Sequence, residues 1–477
     1  MQSLRYNFYK KFLLKVATKN EIFKIKTSKV SNLDYKYKAL HKNSRHYKPS
    51  STWFYFSTKA IMENSTQKGN WSQFIKMLGP GLLFAGSAVG VSHLVQATKA
   101  GAGFGFGLLW LVILIHLVKY PFFEIGSRYA ASTGQDLVSG YKKIHKSFLY
   151  LFAFITVATM FIIQAVVTVV TASLAINLFG IFESPVTWSI VLLGICTTLL
   201  IIGKYSLLDN LMTIVIIVLT VSTFLAVILA VGKEEVTAPS LTFDLPLAEI
   251  GFLLAVMGWM PAPLDLSVWH SIWTVEKQKA TVEDFNYKRS LLDFRIGYIG
   301  TILLAVFFLS LGALIMFNSG VEFSPKGAVF VGQLIDMYTV SLGSWAKWLI
   351  AIAAFTTMFS TTLTCLDAMP RVMARTTTLI LDKNEEPKQF YWVWIIALVI
   401  GAIIILQFFM TSMANLVFVA TILSFLTTPF FAVANYLLIN RKEVPKYARP
   451  NQIFKIWSWF GMVFLIGFGI LYLSTLF

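Results

Sequence analysis

Charge is scarce in this chain, and acidic residues are scarcer still. Of 477 residues only 13% are charged, with 23 Asp and Glu against 40 Lys and Arg. A soluble protein of this length carries roughly twice that charged fraction. Together with a hydrophobic content of 56%, this reads as a polytopic membrane protein. Cysteine is nearly missing: Cys196 and Cys365 are the 2 present, both inside apolar runs, which excludes a disulfide framework and a zinc motif. There is no glycine-rich phosphate loop or nucleotide-binding module, so ATP is not expected as an energy source. There is no HExxH, no pair of acids within one apolar segment and no nucleophile motif, which argues against a membrane-embedded enzyme.

The net charge of +17 is unevenly placed. Residues 1–61 carry many lysines, among them Lys10, Lys11, Lys15, Lys19, Lys24 and Lys26, against only Glu21 and Asp34. This stretch lacks the order of a secretory signal peptide. It is expected to be a disordered or non-native basic extension ahead of Met62; a basic tail on anionic lipid and a transit peptide are the alternatives. Residues 62–77 then read as a cytoplasmic N-terminus.

Scanning for apolar stretches of about 20 residues gives eleven: 78–97, 105–127, 148–178, 186–203, 207–231, 248–272, 294–317, 344–369, 391–409, 412–439 and 456–476. One set of connections holds Arg128, Lys142, Lys143, Lys146, Lys204, Lys277, Lys279, Lys288, Arg289, Arg371, Arg375, Lys383, Lys388, Arg441, Lys442, Lys446 and Arg449. The alternate set holds Lys99, Lys233, Lys326 and Lys347. By the positive-inside rule the first set and the N-terminus lie in the cytoplasm.

Two segments are interrupted by glycine and proline: LGPGLLFAGSAVGVSHLVQA in 78–97, and AEIGFLLAVMGWMPAPLDLSVWHSI in 248–272. An interrupted membrane helix leaves backbone groups free, which is tolerated where they line a protein cavity. Each opens a set of five segments, 78–231 and 248–439, with 456–476 added at the end. A repeat of five must invert in the membrane, and paired broken helices in corresponding positions point to a transporter's substrate site. The expected fold is an all-α membrane protein of eleven transmembrane helices. It is built as a five-plus-five inverted repeat, like the amino-acid/sodium symporters, with unwinding near Gly86–Ser92 and Gly258–Pro263.

The segment GPGLLFAGSAVGVSHLVQATKAGAGFGFGLLW, then STGQDLVSG, ASLAINLFG, the WMP triplet and the HS pair at 270–271 together resemble the Nramp divalent-metal transporters over about residues 75–475. The resemblance implies uptake of transition-metal ions, often with proton co-transport. The departures are specific. Where the family has Asp-Pro-Gly-Asn in its first helix, this chain has Gly90, Val91, Ser92 and His93. The acidic pair of the third helix falls on Ala165 and Thr168. The methionine ligand of the sixth is kept as Met260, the following His-Asn becomes Ala262 and Pro263, and Asp265 is a new acid. The chain reads as a divergent branch.

A divalent cation needs oxygen, nitrogen or sulfur ligands and compensating charge. The free carbonyls near Gly86–Gly90 and Met257–Met260 carry the negative end of a helix dipole. Met260 offers a soft thioether, with apolar filling as the alternative. Asp265 is a carboxylate within an apolar segment, where it costs at least about 2.5–3.5 kcal/mol and so is expected to face a cavity. It replaces the missing carboxylate of the first segment, or else stabilises the helix start that follows Pro263. His93 is a candidate ligand or proton carrier, or a buried histidine on an unwound carbonyl. His270 has a proton-path role implied by the resemblance, with a simple interfacial histidine as the alternative, and Asp367 is a further proton-path candidate whose alternative is an ion pair with Arg371 at i+4. Gln96 and Gln164 line the pathway or pack between helices, and the hydroxyls from Thr356 to Thr364 bond their own helix.

The function expected is a secondary transporter that imports Mn- or Fe-like ions by alternating access, with proton symport left open. The alternative is a symporter of the same fold for an organic substrate such as an amino acid, with sodium coupling left open. No permanently bound cofactor, no nucleic acid and no obligate protein partner are expected; the lipid bilayer and the metal ion are the partners. The expected location is the bacterial inner (plasma) membrane, as a multi-pass protein.

Overall fold

The structure, a computed structural model, describes residues 79–203, 205–231, 249–280, 286–317, 319, 322–410 and 412–475, with backbone alone at 82 and 205–216. The expectations for 1–61 and 62–77 lie outside the described residues.

Among the described residues the regular structure is helical. The first apolar segment forms α1 (Pro80–Ala88) and α2, a wide π-turn at Ser92–Ala97 that runs into an α-helix at Thr98–Phe104. Then follow α3 (Leu109–Thr133), α4 (Leu137–Ile144), α5 (Lys146–Phe179), α6 (Pro185–Ile202) and α7 (Tyr205–Val231). The sixth segment forms α8 (Ile250–Trp259) and α9 (Leu266–Ala280). The remainder is α10 (Tyr287–Ile315), α11 (Gly327–Leu342), α12 (Ala346–Ile380), α13 (Lys388–Phe408), α14 (Met413–Ile439) and α15 (Gln452–Ser474). Eight of these helices are long and apolar enough to cross a membrane unaided. The two interrupted pairs and α7 complete the eleven spans read from the sequence. The helix α11 and the amphipathic α4 lie between spans.

Helix ends follow local chemistry. Asp136 caps α4, Ser184 with Pro185 behind it starts α6, and Asn451 caps α15. Gly134, Gly180 and Gly203 end α3, α5 and α6 in the left-handed conformation that glycine adopts without a Cβ clash. Pro121 leaves the carbonyl of Leu117 without its helical partner, and Trp457 of α15 donates to it at 2.8 Å.

Packing repeats across the two halves. The helix α10, second in its half, packs along α1 and α2; α3, second in the other half, packs along α9. Long α5 and α12 pack on each other at the centre. The contact between α1 and α10 is backbone to backbone: a Cβ on Gly81 would meet the Asp293 carbonyl at 2.1 Å, and one on Gly297 would meet the Gly81 carbonyl at 2.2 Å. That proximity lets the Asp293 carboxylate accept from the amides of Gly79 (3.1 Å) and Gly81 (2.7 Å), so α10 caps the start of α1.

The basic connections gather at one end. Lys142 reaches Asp382 at 2.5 Å and Arg375 reaches Asp136 at 3.2 Å. In the same set of connections Arg441 bonds Glu443 and holds its carboxyl down at about 2. Hydrogen bonding to Lys142, and its charge, likewise lower the Asp382 carboxyl.

Candidate functional site

Both interrupted segments are broken as expected, but not over the whole of Gly86–Ser92 and Gly258–Pro263: Gly86 stays inside α1 and Gly258 inside α8. At 1.5 Å per residue α1 and α8 span only about half of a 30 Å hydrocarbon core. The first break falls at Val89 and Gly90, after α1 ends at Ala88; the second runs from Met260 to Asp265, between α8 and α9. The Met260–Pro261 peptide is cis. A small cavity of about 30 Å³ opens between the breaks. Ala88, Gly90 and Ser92 line it from one side, and Trp259, Ala262, Pro263, Asp265 and Trp269 from the other; α5 and α12 close it with Val167, Thr361 and Cys365. At roughly 10–15 Å³ for one water by the same measure, this is room for an ion or about two waters.

Asp265 is the acid among the lining residues. Its Oδ1 is buried and has no hydrogen-bond partner among the described residues. A buried carboxylate oxygen left so is costly and awaits a cation or a proton donor.

Of the other residues singled out in the sequence, Gly90 lines the cavity, with a Cβ there 3.1 Å from Thr361. Gly86 is buried in α1 outside it. His93 is fully buried, its Nδ1 beside the Ser92 hydroxyl (2.7 Å) and the Ala88 carbonyl (3.1 Å) and its Nε2 beside the Thr301 carbonyl (3.0 Å). The ring holds the first break to α10 and does not line the cavity. Met260 is fully buried, and its side chain lies outside the lining. Met257 lies outside the lining, and its carbonyl accepts from the buried Lys119 ammonium at 2.6 Å. His270 packs its ring against Phe84 and Phe294, and neither ring nitrogen has a partner among the described residues. Asp367 accepts from Arg371 at 2.8 Å and from Tyr391 at 2.5 Å, the local ion pair at i+4. No group of three His, Cys, Asp or Glu side chains converges as a metal cage among the described residues.

The face of α5 that would hold the family's acidic pair carries Ala165 and Thr168 and is sealed by neutral hydrogen bonds. Gln164 donates to the Thr362 carbonyl (3.3 Å), and Thr171 to the Met358 carbonyl (3.0 Å). The hydroxyls of Thr356, Thr357 and Thr361 bond carbonyls of their own helix, while Thr362 crosses to Val167. The matching motifs touch as well. Asp136 of STGQDLVSG caps α4, and the Leu137 amide donates to Ser271 of the HS pair at 2.9 Å.

One residue was not singled out in the sequence. Lys119 of α3 is fully buried, and its ammonium donates to the carbonyls of Met257 (2.6 Å), Gly258 (2.8 Å) and Ala262 (3.2 Å). The signal was present: a lysine inside the apolar run before Pro121 is an intramembrane charge, which marks function by default.

A family model described as natural resistance-associated macrophage protein-like (Nramp) matches residues 81–475. An uncharacterised protein of Pasteurella multocida is 34% identical over 414 residues, covering 86% of this chain and 94% of its own length. The metal transporter Nramp6.1 of Populus trichocarpa is 27% identical over 172 residues, 34% of this chain and 30% of that protein. Among solved structures, a manganese transporter from Eremococcus coleocola superposes with a TM-score of 0.68 at 15% identity, over 86% of this chain and 88% of that one. MhsT in complex with L-phenylalanine superposes with a TM-score of 0.56 at 16% identity, over 83% and 98%. At these identities the superpositions speak for the fold alone.

Proposed function

This chain belongs to the Nramp-like family, and from that premise we propose that it is a secondary transporter importing a divalent transition-metal ion through the cavity between its two broken helices. The observation that carries the reading is the Oδ1 of Asp265, without a hydrogen-bond partner among the described residues, at a cavity of ion size. The metal-transporter names of several relatives support the choice of cargo. Asp265 supplies the charge, and Ser92, Thr361, Ala88 and Gly90 line the same cavity as further oxygen-bearing residues. Alternating access follows from rocking one repeat against the other about this site. The basic end of the molecule faces the cytoplasm of a bacterial inner membrane. Proton coupling, if present, is not routed through acids at positions 90, 165 or 168, since none stands there.

A zwitterionic organic solute, such as an amino acid, is the second reading. It is favoured by Lys119, whose charge offsets that of Asp265 and leaves the site without net charge for a divalent ion. The volume of the cavity favours the ion.

The test is uptake into proteoliposomes from a panel of manganese, iron, cadmium, magnesium and amino acids. Manganese or iron uptake is expected, falling in Asp265→Asn by tenfold or more, a loss of about 1.4 kcal/mol per decade. Wild-type metal uptake by Asp265→Asn removes Asp265 from the site. Uptake of an amino acid and no metal establishes the second reading.

A further inference from the structure

A broken membrane helix offers its free carbonyls to a cation, and here the sixth segment's carbonyls already hold one. The last turn of α8 ends at Trp259, and Pro261 lacks an amide hydrogen, so the carbonyls of Met257 and Gly258 have no helical donor after Met260. They point inward with the negative end of the helix dipole behind them. The Ala262 carbonyl turns back toward them within the unwound stretch. A Cβ on Gly258 would lie 2.0 Å from the Thr421 carbonyl. This close approach fixes α8 against α14 and holds the three oxygens in place.

We infer that these three carbonyls form a monovalent-cation site whose permanent occupant is the protein's own Lys119 ammonium, in place of a free sodium ion or other small cation. Three acceptors around one nitrogen match an ammonium, which has three N–H donors; a neutral amine has two and would turn its lone pair toward the third carbonyl. The site is dry, with Lys119 fully buried, and an ammonium is stable there only with oxygens on every N–H and an anion near. Asp265, three residues beyond Ala262 in the same unwound stretch, is the acid whose charge acts on Lys119. The tether has two consequences. The break is stabilised without a co-substrate ion, so folding and transport need no sodium. The transported species also meets an Asp265 whose charge is shared with a fixed neighbour. The inference stands whether the cargo is a metal or an organic solute.

Shortening the side chain should turn the tethered cation into a diffusible one. Purified Lys119→Ala is compared with wild type by thermal unfolding in sodium, potassium, methylammonium and choline chlorides at matched ionic strength. Lys119→Ala is expected to melt lower than wild type in choline. It should then recover saturably, by at least about 2 °C, in methylammonium or sodium, because a ligand that binds only the folded state raises its stability by mass action. Wild type should respond to all four salts alike. Identical behaviour of Lys119→Ala in choline and in the small cations overturns the inference. So does Lys119→Met, uncharged and of similar size, melting like wild type, since the side chain then only fills space. If Lys119→Ala accumulates only when expressed and purified with methylammonium, the inference is supported. If no salt restores it while Lys119→Met folds with wild-type stability, the inference is wrong. No metal enters these measurements, so their failure is separate from failure of metal uptake.

Discussion

At the scale of single residues the candidate site is marked by two charges and an absence. Asp265 is the acid of the cavity lining, Lys119 is the buried base beside the second break, and Gly90 stands where the family's first helix has a carboxylate. Asp265 and Gly90 were both legible in the sequence, the first as an acid in an apolar run and the second as a departure from the Asp-Pro-Gly-Asn pattern. The part played by Lys119 was not, because which carbonyls lie across from position 119 depends on how α3 meets α8. His93 and Met260 show the converse. Their chemistry suits a ligand, yet the His93 ring is bonded into the α1–α10 contact and Met260 is absent from the cavity lining. Gly90 lines the cavity and has no positive φ, and the first side-chain carbon of Gly90→Asp would meet only Thr361, at 3.1 Å. A second carboxylate there should strengthen divalent-ion binding about tenfold or more, read by calorimetric titration of manganese into the purified variant. Unchanged affinity would mean that the cavity at this break is not where the ion sits.

At the scale of elements, the half-length helices α1 and α8 depend on partners that bring backbone against backbone. Gly81 with Gly297 joins α1 to α10, and Gly258 joins α8 to α14; small residues permit such approach between membrane helices. A methyl group at Gly258 must displace the Thr421 carbonyl. Gly258→Ala should therefore destabilise the protein by about 1–3 kcal/mol, seen as a lower melting temperature in detergent. Gly300→Ala, with nothing within 4 Å of the added carbon, serves as the neutral control. Equal melting of the two variants would show that α8 and α14 are not in backbone contact. The breaks themselves could be read in advance from glycine and proline. The partner of each half-helix could not, since the pairs lie more than 160 residues apart in the chain.

At the scale of the whole molecule, one end carries the ion pairs of Lys142 with Asp382 and Arg375 with Asp136, and it is the end the positive-inside rule assigns to the cytoplasm. Both native thiols are buried, so cysteines introduced on exposed connections report orientation cleanly. Ser344→Cys precedes α12, and Glu385→Cys lies between α12 and α13. In intact cells a membrane-impermeant thiol reagent should label Ser344→Cys and spare Glu385→Cys until the membrane is permeabilised. The reverse pattern inverts the topology and places the basic end outside.

The sequence alone determined the class of solution. Low charge and apolar runs of about 20 residues force membrane helices, because backbone groups in lipid must satisfy one another. Two matched interruptions in sets of five force an inverted repeat, and the loop lysines and arginines bias its orientation. Those are local or periodic properties, each written within a single segment of the chain. Which charges meet was decided only by tertiary structure. Asp293 caps a helix that begins more than 200 residues earlier, His93 is bound by a carbonyl of α10, and Lys119 fills the carbonyls of a break that the sequence offers to a free cation. The reason is physical: an ammonium or carboxylate in a dry interior is held by whatever oxygens or amides the packing brings within about 3 Å. That proximity is a property of the assembled helices and not of any one of them.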